Sequence, residues 1–184
     1  MKSLFILCMV IAMPAFAECP APADVSDDLE ALFSAARTAD NEGAGRAISG
    51  QMWELWLKAP DPAAQEVLDR GMRKREVYDF VGALSDFDRL AAYCPDYAEG
   101  FNQRAFVHFL RGDYALALVD LDKALELQPR HVGAQSGRAL TLMNLDRIDE
   151  ARAQLEDALK NNPWLSERFL LSDGGPLARQ GKDI

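Results

Sequence analysis

The chain has 184 residues, of which 49% are apolar and 27% charged, and its formal net charge at neutral pH is −9. This length and composition suggest one domain with a continuous apolar core. The acidic balance repels phosphate backbones and argues against nucleic acid as a partner. With only 3 cysteines, the fold is not built on disulfides.

The first 17 residues have the pattern of a cleaved signal peptide. Lys2 precedes an apolar stretch, Leu4–Met13, and Ala15–Ala17 fits an A-x-A cleavage site. The stretch is too short to span a bilayer, and we expect no membrane insertion after cleavage. The sequence therefore predicts an exported chain that begins at Glu18, with the periplasm as its compartment in a Gram-negative cell.

Two cysteines, Cys19 and Cys94, remain after cleavage. Export implies an oxidising compartment, in which these two residues could form a disulfide. The alternative is a buried thiol at Cys94 and an unpaired cysteine in the tail. Lipid attachment at Cys19 is a weaker interpretation, because the neighbouring Glu18 fits a lipobox poorly.

The segment before the repeats is predicted to contain a short tail and two helices. Residues 18–25 lack periodicity and are expected to be extended. Residues 26–60 form a divergent helical pair, with one helix over Ser26–Thr38 capped by its first residue. A turn at 41–45 then leads to a second helix over about Arg46–Lys58.

The second of these helices carries Trp53 and Trp56 at helical spacing. The favoured interpretation is that both tryptophans pack within a core or cap. The alternative is an aromatic platform for a ligand. We expect the pair to act as an N-terminal cap or a degenerate repeat.

The chain from Asp61 to Pro163 follows a period of 34 residues. Asp61 is a natural N-cap and Pro62 a natural first helical residue. Residues of the same kind recur at this spacing, as in Pro95, Pro129 and Pro163; Arg70, Arg104 and Arg138; Ala83, Ala117 and Ala151; and Phe87, Leu121 and Leu155. Prolines end helices, small residues let helices approach closely, and large residues fill the remaining space.

Each period is predicted to contain two helices, here named A and B. In the middle copy, helix A runs over about Ala98–Arg111 and helix B over about Asp113–Gln128. Gly112 separates them, and Asp113 is placed to cap helix B. Pro129 then ends the pair, because proline lacks an amide hydrogen and clashes with the preceding turn.

This pattern resembles the tetratricopeptide repeat family, with copies at 64–97, 98–131 and 132–163. The resemblance implies an all-α fold in which antiparallel helix pairs stack into a right-handed superhelix, with the A helices on the concave side. Residues 164–184 would then form a short capping helix and a polar tail.

The resemblance also implies a groove that binds a protein or peptide. The residues that match groove-facing positions of the family include Leu68, Met72, Asn102, Phe106, Phe109, Leu140 and Met143. The apolar ones form a stripe, and Asn102 has an amide that can meet a peptide backbone as donor and acceptor. The alternative is that some of them pack beneath the terminal helices.

Some members of the family hold a C-terminal carboxylate with paired Lys, Asn and Arg side chains. This chain has other residues at the matching positions, namely Leu68, Met72, Gln103, Gly133 and Gly137. Because no cation is among them, that particular clamp is absent.

The sequence predicts no catalytic site, metal site or cofactor. His108 and His131 have no metal-ligand spacing, and no catalytic motif occurs. We expect His108 to replace an aromatic residue in or near the core, and His131 to be solvated. The three recurring arginines could read a ligand, but a structural role beside carboxylates such as Asp86 and Asp120 is favoured.

Two functions follow from this interpretation. The first is an exported adaptor that holds a peptide segment of a partner in the concave groove. The alternative is a structural subunit of an envelope complex, docked through its convex face or helix ends. Neither the partner nor the oligomeric state can be read from the residues.

Overall fold

The computed structural model describes residues 18–179. The predicted signal peptide (1–17) and the last part of the predicted polar tail (180–184) lie outside this range. The described part contains eight α-helices and a 3-10 helix: α1 Ser26–Thr38, α2 Glu42–Trp56, α3 Pro62–Glu76, α4 Phe80–Tyr93, α5 Ala98–Leu110, α6 Tyr114–Leu127, α7 Val132–Asn144, α8 Ile148–Asn161 and the 3-10 helix Ser166–Leu171. No strand occurs among these residues, and none of their helices is long and apolar enough to cross a membrane.

Helices α3 to α8 form the three predicted repeats. Each A helix packs on the B helix that follows it, in the pairs α3 and α4, α5 and α6, and α7 and α8. Consecutive pairs also pack on one another, through α4 with α5 and α6 with α7. The all-α fold, an α-solenoid of helix pairs, is therefore confirmed.

The predicted N-cap hydrogen bond is present in one repeat and absent in another. Asp61 caps α3 as predicted, since its carboxylate accepts a hydrogen bond of 2.7 Å from the amide of Ala64. The predicted cap at Asp113 is wrong, because its side chain makes no capping hydrogen bond with α6. The Asp113 carboxylate instead lies 3.0 Å from the guanidinium of Arg111.

The core of the array consists of the small and large residues that recur along the sequence. Ala83, Ala117 and Ala151 are completely buried, as are Phe87 and Leu155. Helix α3 lies close to α4 at Gly71, where a side-chain Cβ would lie 2.6 Å from the ring of Phe87. Glycine at this position therefore lets the phenyl ring pack directly against the backbone of α3.

The recurring arginines bind carboxylates of the same or the preceding repeat. The Arg70 guanidinium donates to Asp86 at 2.7 Å, and that of Arg104 donates to Asp120 at 2.6 Å. Both carboxylates are nearly buried. Arg138 bonds Asp122 and Gln154, the second of which replaces the carboxylate in the third repeat. These contacts give the arginines a structural role.

Helix α2 begins one turn earlier than the sequence predicted. The side chain of Asn41 accepts a hydrogen bond of 3.0 Å from the amide of Ala44, so the expected turn at 41–45 is the cap and first turn of the helix. Gly45 allows close packing, because a Cβ there would lie 2.1 Å from the indole of Trp164. At α1 the expected cap Ser26 is instead the first helical residue.

The N-terminal pair packs against the third repeat rather than extending the array beyond α3. Helix α1 contacts α8, and Phe33, Met52 and Trp56 form a core cluster with Val132 of α7. The indole Nε1 of Trp164 donates to the backbone oxygen of Ala36 at 2.9 Å. Helices from the two ends of the described chain therefore meet, and α2 lies against the concave side of the repeats.

A disulfide joins Cys19 in the extended tail to Cys94 at the end of α4, with the two Cα atoms 5.1 Å apart. It links the segment before α1 to the first repeat and lies beside the apolar cluster that contains Phe87. Because the bond closes a loop with a sequence separation of 75 residues, it restricts the unfolded chain over the whole N-terminal part.

Replacement of Cys94 by serine should lower the free energy of unfolding by about 2–4 kcal/mol, because the long loop is no longer closed in the unfolded state. Urea denaturation with and without dithiothreitol measures this change. Reductant should destabilise the wild type to a similar extent and leave Cys94→Ser unaffected. A wild type that unfolds at the same urea concentration in both conditions would contradict the expectation.

The segment after α8 forms a 3-10 helix where the sequence predicted a capping α-helix. The turns that follow return to the array, and Leu177 is completely buried in a cluster with Ala139 and Leu155. The backbone oxygen of Leu177 also accepts a hydrogen bond of 2.9 Å from Arg152. The predicted polar tail therefore contributes an apolar anchor that covers the third repeat.

Candidate functional site

A cavity of about 750 Å³ lies on the concave side of the repeats. The A helices α3, α5 and α7 form one wall. Helix α2 and the segment 164–169 form the remaining walls. The terminal parts of the chain thus narrow an open groove into a cavity.

Five of the seven predicted groove residues line this cavity: Met72, Asn102, Phe106, Phe109 and Leu140. Leu68 does not, and this placement is corrected, because its side chain is completely buried in the apolar cluster with Phe87. Met143 does not either, since it packs against the cluster of the third repeat. Phe106 is 45% exposed, which makes it the most accessible aromatic side chain of the A helices.

Helix α2 and the C-terminal segment contribute lining residues that family positions do not indicate. These are chiefly Trp53, Leu57, Trp164, Leu165 and Phe169. Trp53 lies against Gly133, where a Cβ would be 2.5 Å from the indole. The only sequence signal for Trp53 as a lining residue was its helical spacing with Trp56. The sequence left two interpretations open for this pair, a core position and a ligand platform. Trp56 is a buried core residue, whereas Trp53 faces the cavity.

His131 is completely buried, so the expectation that it is solvated is wrong. Its ring stacks on that of Trp56 with the centroids 4.1 Å apart. Nδ1 accepts from the amide of Ala134 at 3.2 Å, and Nε2 lies 2.8 Å from a carboxylate oxygen of Glu99. This histidine therefore fixes α2 to the repeats. His108 is half-buried, as predicted.

Glu99 lies at the centre of a buried polar network next to the cavity. Its carboxylate accepts from the amide groups of Asn102, at 3.0 Å, and Gln103. Gln103 in turn accepts from the guanidinium of Arg75. Asn102 was predicted to meet a peptide backbone as both donor and acceptor. Its amide NH₂ group instead donates to Glu99 within the protein, so this donor is already in use.

The cavity is lined by three arginines and two glutamates, Arg46, Arg75, Arg168, Glu42 and Glu167. The guanidinium groups of Arg46 and Arg168 lie 3.0 Å and 3.2 Å from the carboxylate of Glu42. Arg75 lies over the ring of Phe106, 5.0 Å from its centroid. Burial lowers the pKa of Arg75. The lining therefore carries a small positive charge within an acidic chain.

Within residues 18–179, no group of three or more His, Cys, Asp or Glu side chains is arranged to hold a metal ion. The polar groups of the cavity are amides, hydroxyls, guanidinium groups and the carboxylates of Glu42 and Glu167. They suit hydrogen bonding and the recognition of anions.

A solenoid of helix pairs with an apolar concave cavity defines a helical-repeat protein with a recognition surface. Residues 108–164 match the tetratricopeptide repeat family model. A TPR repeat-containing protein of Rhizobium etli is 29% identical over 142 residues, which cover 77% of this chain and 64% of the relative. A tetratricopeptide repeat protein 36 homolog of Nematostella vectensis is 43% identical over 76 residues, 41% of each chain. The chain thus spans less than two thirds of the length of these relatives.

The solved structure titled first TPR of Spaghetti (RPAP3) bound to HSP90 peptide SRMEEVD superimposes with a TM-score of 0.56 at 21% identity. The match covers 56% of this chain and 82% of that one, and it shows a shared fold. Residues 108–164 are thus similar in sequence to the tetratricopeptide repeat family, and the described chain shares the helical-repeat fold of the RPAP3 domain.

Proposed function

We propose that the protein is an exported interaction scaffold that binds a peptide segment of a partner at the concave cavity. The observation that carries this proposal is the cavity itself, where Phe106, Phe109 and Leu140 from two A helices meet Trp53 of α2. Partly exposed aromatic side chains around an apolar recess are typical of anchor sites for a partner. The peptide bound to the similar RPAP3 domain supports this class of function.

Export is supported by the signal-peptide pattern of residues 1–17 and by the pairing of Cys19 with Cys94. Disulfides persist in oxidising compartments and are rare in the cytosol. In a Gram-negative cell this compartment is the periplasm. The proposal is a binding function and includes no catalytic role.

The alternative function is a structural subunit of an envelope complex. Leu116 and Val119 of helix α6 are 54% and 65% exposed. They lie outside the cavity lining, one helical turn apart, and could pack against a partner surface. The two functions therefore place the partner on different faces, which variants can distinguish.

The Phe106→Ala variant should weaken partner binding by about 2 kcal/mol, roughly thirtyfold, because an anchor in the cavity is removed. Affinity purification from the native host, followed by calorimetry with the captured partner, measures the loss. Leu116→Ala is the matched control and should bind like wild type, and both variants must keep a native far-UV circular dichroism spectrum.

Mass spectrometry of the native protein tests export, with Glu18 expected as its first residue.

The opposite pattern would contradict the scaffold proposal. If Phe106→Ala retains full affinity and Leu116→Ala loses it, the partner docks on the convex face. If Phe106→Ala unfolds, Met72→Ala provides a second cavity variant, since Met72 also lines the cavity and is partly exposed.

A further inference from the structure

The charged groups of the cavity are not all compensated. Arg46 and Arg168 share the carboxylate of Glu42, whereas no carboxylate of residues 18–179 lies within 4.0 Å of the Arg75 guanidinium. Glu99, which approaches Arg75 through Gln103, already accepts from three other side chains. Arg75 therefore lines the cavity as a cation without an ionic partner in the described part of the chain.

The position of Arg75 is fixed although its charge is not neutralised. One N–H group donates to Gln103, and the guanidinium carbon lies over the ring of Phe106. A guanidinium has further N–H donors in a rigid fork that matches a carboxylate. Because burial in the apolar wall removes water from this group, an anion bound to it would be held more strongly than at an exposed arginine.

A second unsatisfied group lies in the same lining. The hydroxyl of Ser136 is buried and has no hydrogen-bond partner, and the residue is 5% exposed. Ser136 lies on α7 and Arg75 on α3, with α5 between these two helices. A buried hydroxyl without a partner costs free energy, but α5 separates Ser136 from Arg75, so Arg75 is the group placed to hold a single polar head.

The remaining polar side chains of the lining are largely occupied by contacts within the protein. These are Ser49, Asn102, Gln103, Thr141 and Asn162. A peptide backbone inserted into the cavity would bury an amide and a carbonyl at every residue, and each would need a partner. The cavity therefore suits an inserted apolar side chain, or a molecule with one polar head and an apolar body, rather than a length of peptide backbone.

The size of the cavity agrees with such a molecule. A volume of about 750 Å³ lies within the range of sites for small ligands. The rest of the lining is largely apolar and aromatic, with Trp53, Phe109 and Leu140 among its residues. An apolar tail of several carbon atoms would be buried there without leaving a polar group unpaired.

We propose that the cavity binds a small, free apolar monocarboxylate, such as a medium-chain fatty acid, with its carboxylate on Arg75 and its tail between the aromatic walls. Such an acid would compete with the apolar anchor of a peptide at the same surface. The inference extends the proposed function, but binding of the acid requires only the cavity.

Isothermal titration calorimetry with octanoate and its neutral analogue octanamide tests this proposal on the disulfide-bonded protein. Octanoate should bind the wild type at least about tenfold more tightly than octanamide, because only the acid forms a charge-assisted pair with Arg75. Arg75→Gln should reduce this ratio to about one. Arg46→Gln is the matched control and should keep the wild-type ratio, since Arg46 is already paired with Glu42.

A further variant separates the charge of Arg75 from its geometry. Arg75→Lys keeps the charge without the fork and should show an intermediate ratio.

Three results would overturn the inference as a whole. The first is equal binding of octanoate and octanamide by the wild type. The second is a preference for octanoate over octanamide that persists in folded Arg75→Gln. The third is that neither compound binds. Tighter binding of the free-acid form of a labelled peptide ending in Leu-Phe than of octanoate would also overturn it, in favour of a polypeptide end. The scaffold function is tested separately by Phe106→Ala. If this variant loses partner binding, the scaffold function is supported even when octanoate does not bind.

Discussion

The Phe87→Ala variant is expected to lower the free energy of unfolding by about 3–5 kcal/mol, because it leaves a cavity in the first repeat. Phe87 is completely buried, and its ring packs against the backbone of Gly71, where even a Cβ would lie too close. The helices cannot easily collapse into the vacated space, since α3 and α4 are also joined by the ion pair of Arg70 with Asp86. Urea denaturation followed by far-UV circular dichroism measures the change.

Phe169→Ala makes the same chemical change at a side chain that is 63% exposed, and it serves as the control. It should cost less than about 1 kcal/mol, as surface substitutions usually do. The slope of unfolding free energy against urea should stay the same in both variants. Equal midpoints for Phe87→Ala and wild type would show that Phe87 is not a core residue and that the repeat phase is misassigned.

The Glu99→Ala variant is expected to destabilise the protein by about 3–5 kcal/mol. The change removes a buried carboxylate that accepts from His131, Asn102 and Gln103, and it leaves these donors without a partner in a site that excludes water. Because His131 stacks on Trp56, the tryptophan fluorescence of the folded variant should change as well. Chemical denaturation and emission spectra measure the two effects.

Glu76→Ala provides the comparison, since Glu76 is exposed at the end of α3. This variant should unfold within about 0.5 kcal/mol of wild type and keep its emission spectrum. Glu99→Gln retains an acceptor and should be less destabilised than Glu99→Ala. If Glu99→Ala proves as stable as Glu76→Ala, the polar network contributes little to the attachment of α2.

The Glu99 network joins the candidate site to the attachment of the N-terminal pair. One branch leads through Gln103 to Arg75 in the cavity wall, and the other leads through His131 to Trp56 of α2. The residues that would bind a ligand are therefore positioned by the same contacts that hold the covering helix. This rigidity favours a preformed site.

The helices of the array follow directly from the sequence, because the signals that define them are local and repeated. A proline or a small residue acts on its own turn, and the 34-residue period places the same signal in each copy. The bounds of α5 and α6 accordingly differ by about one residue from the predicted ones. Local signals are weaker where side chains have other partners, as at Asp113, whose carboxylate pairs with Arg111.

The candidate site is only partly visible in the sequence. The repeat phase predicted Met72, Phe106 and Leu140 for the concave face, and these residues line the cavity. It placed Leu68 there as well, although this side chain turns into the core of its own pair. Family positions describe an average helix orientation, and neighbouring side chains decide which residues at the edge of that face are accessible.

The N-terminal pair and the C-terminal segment show what depends on the complete fold. Their residues gave helical spacing and turn signals, but no local pattern indicates that Trp53 lies against Gly133 or that Trp164 lies against Gly45. These contacts join residues that are far apart in the chain, and they bury His131 and convert a groove into a cavity. The local sequence thus determines the helices and their stacking order, whereas the shape of the site depends on long-range packing, which arises only when the ends of the chain meet on the concave face.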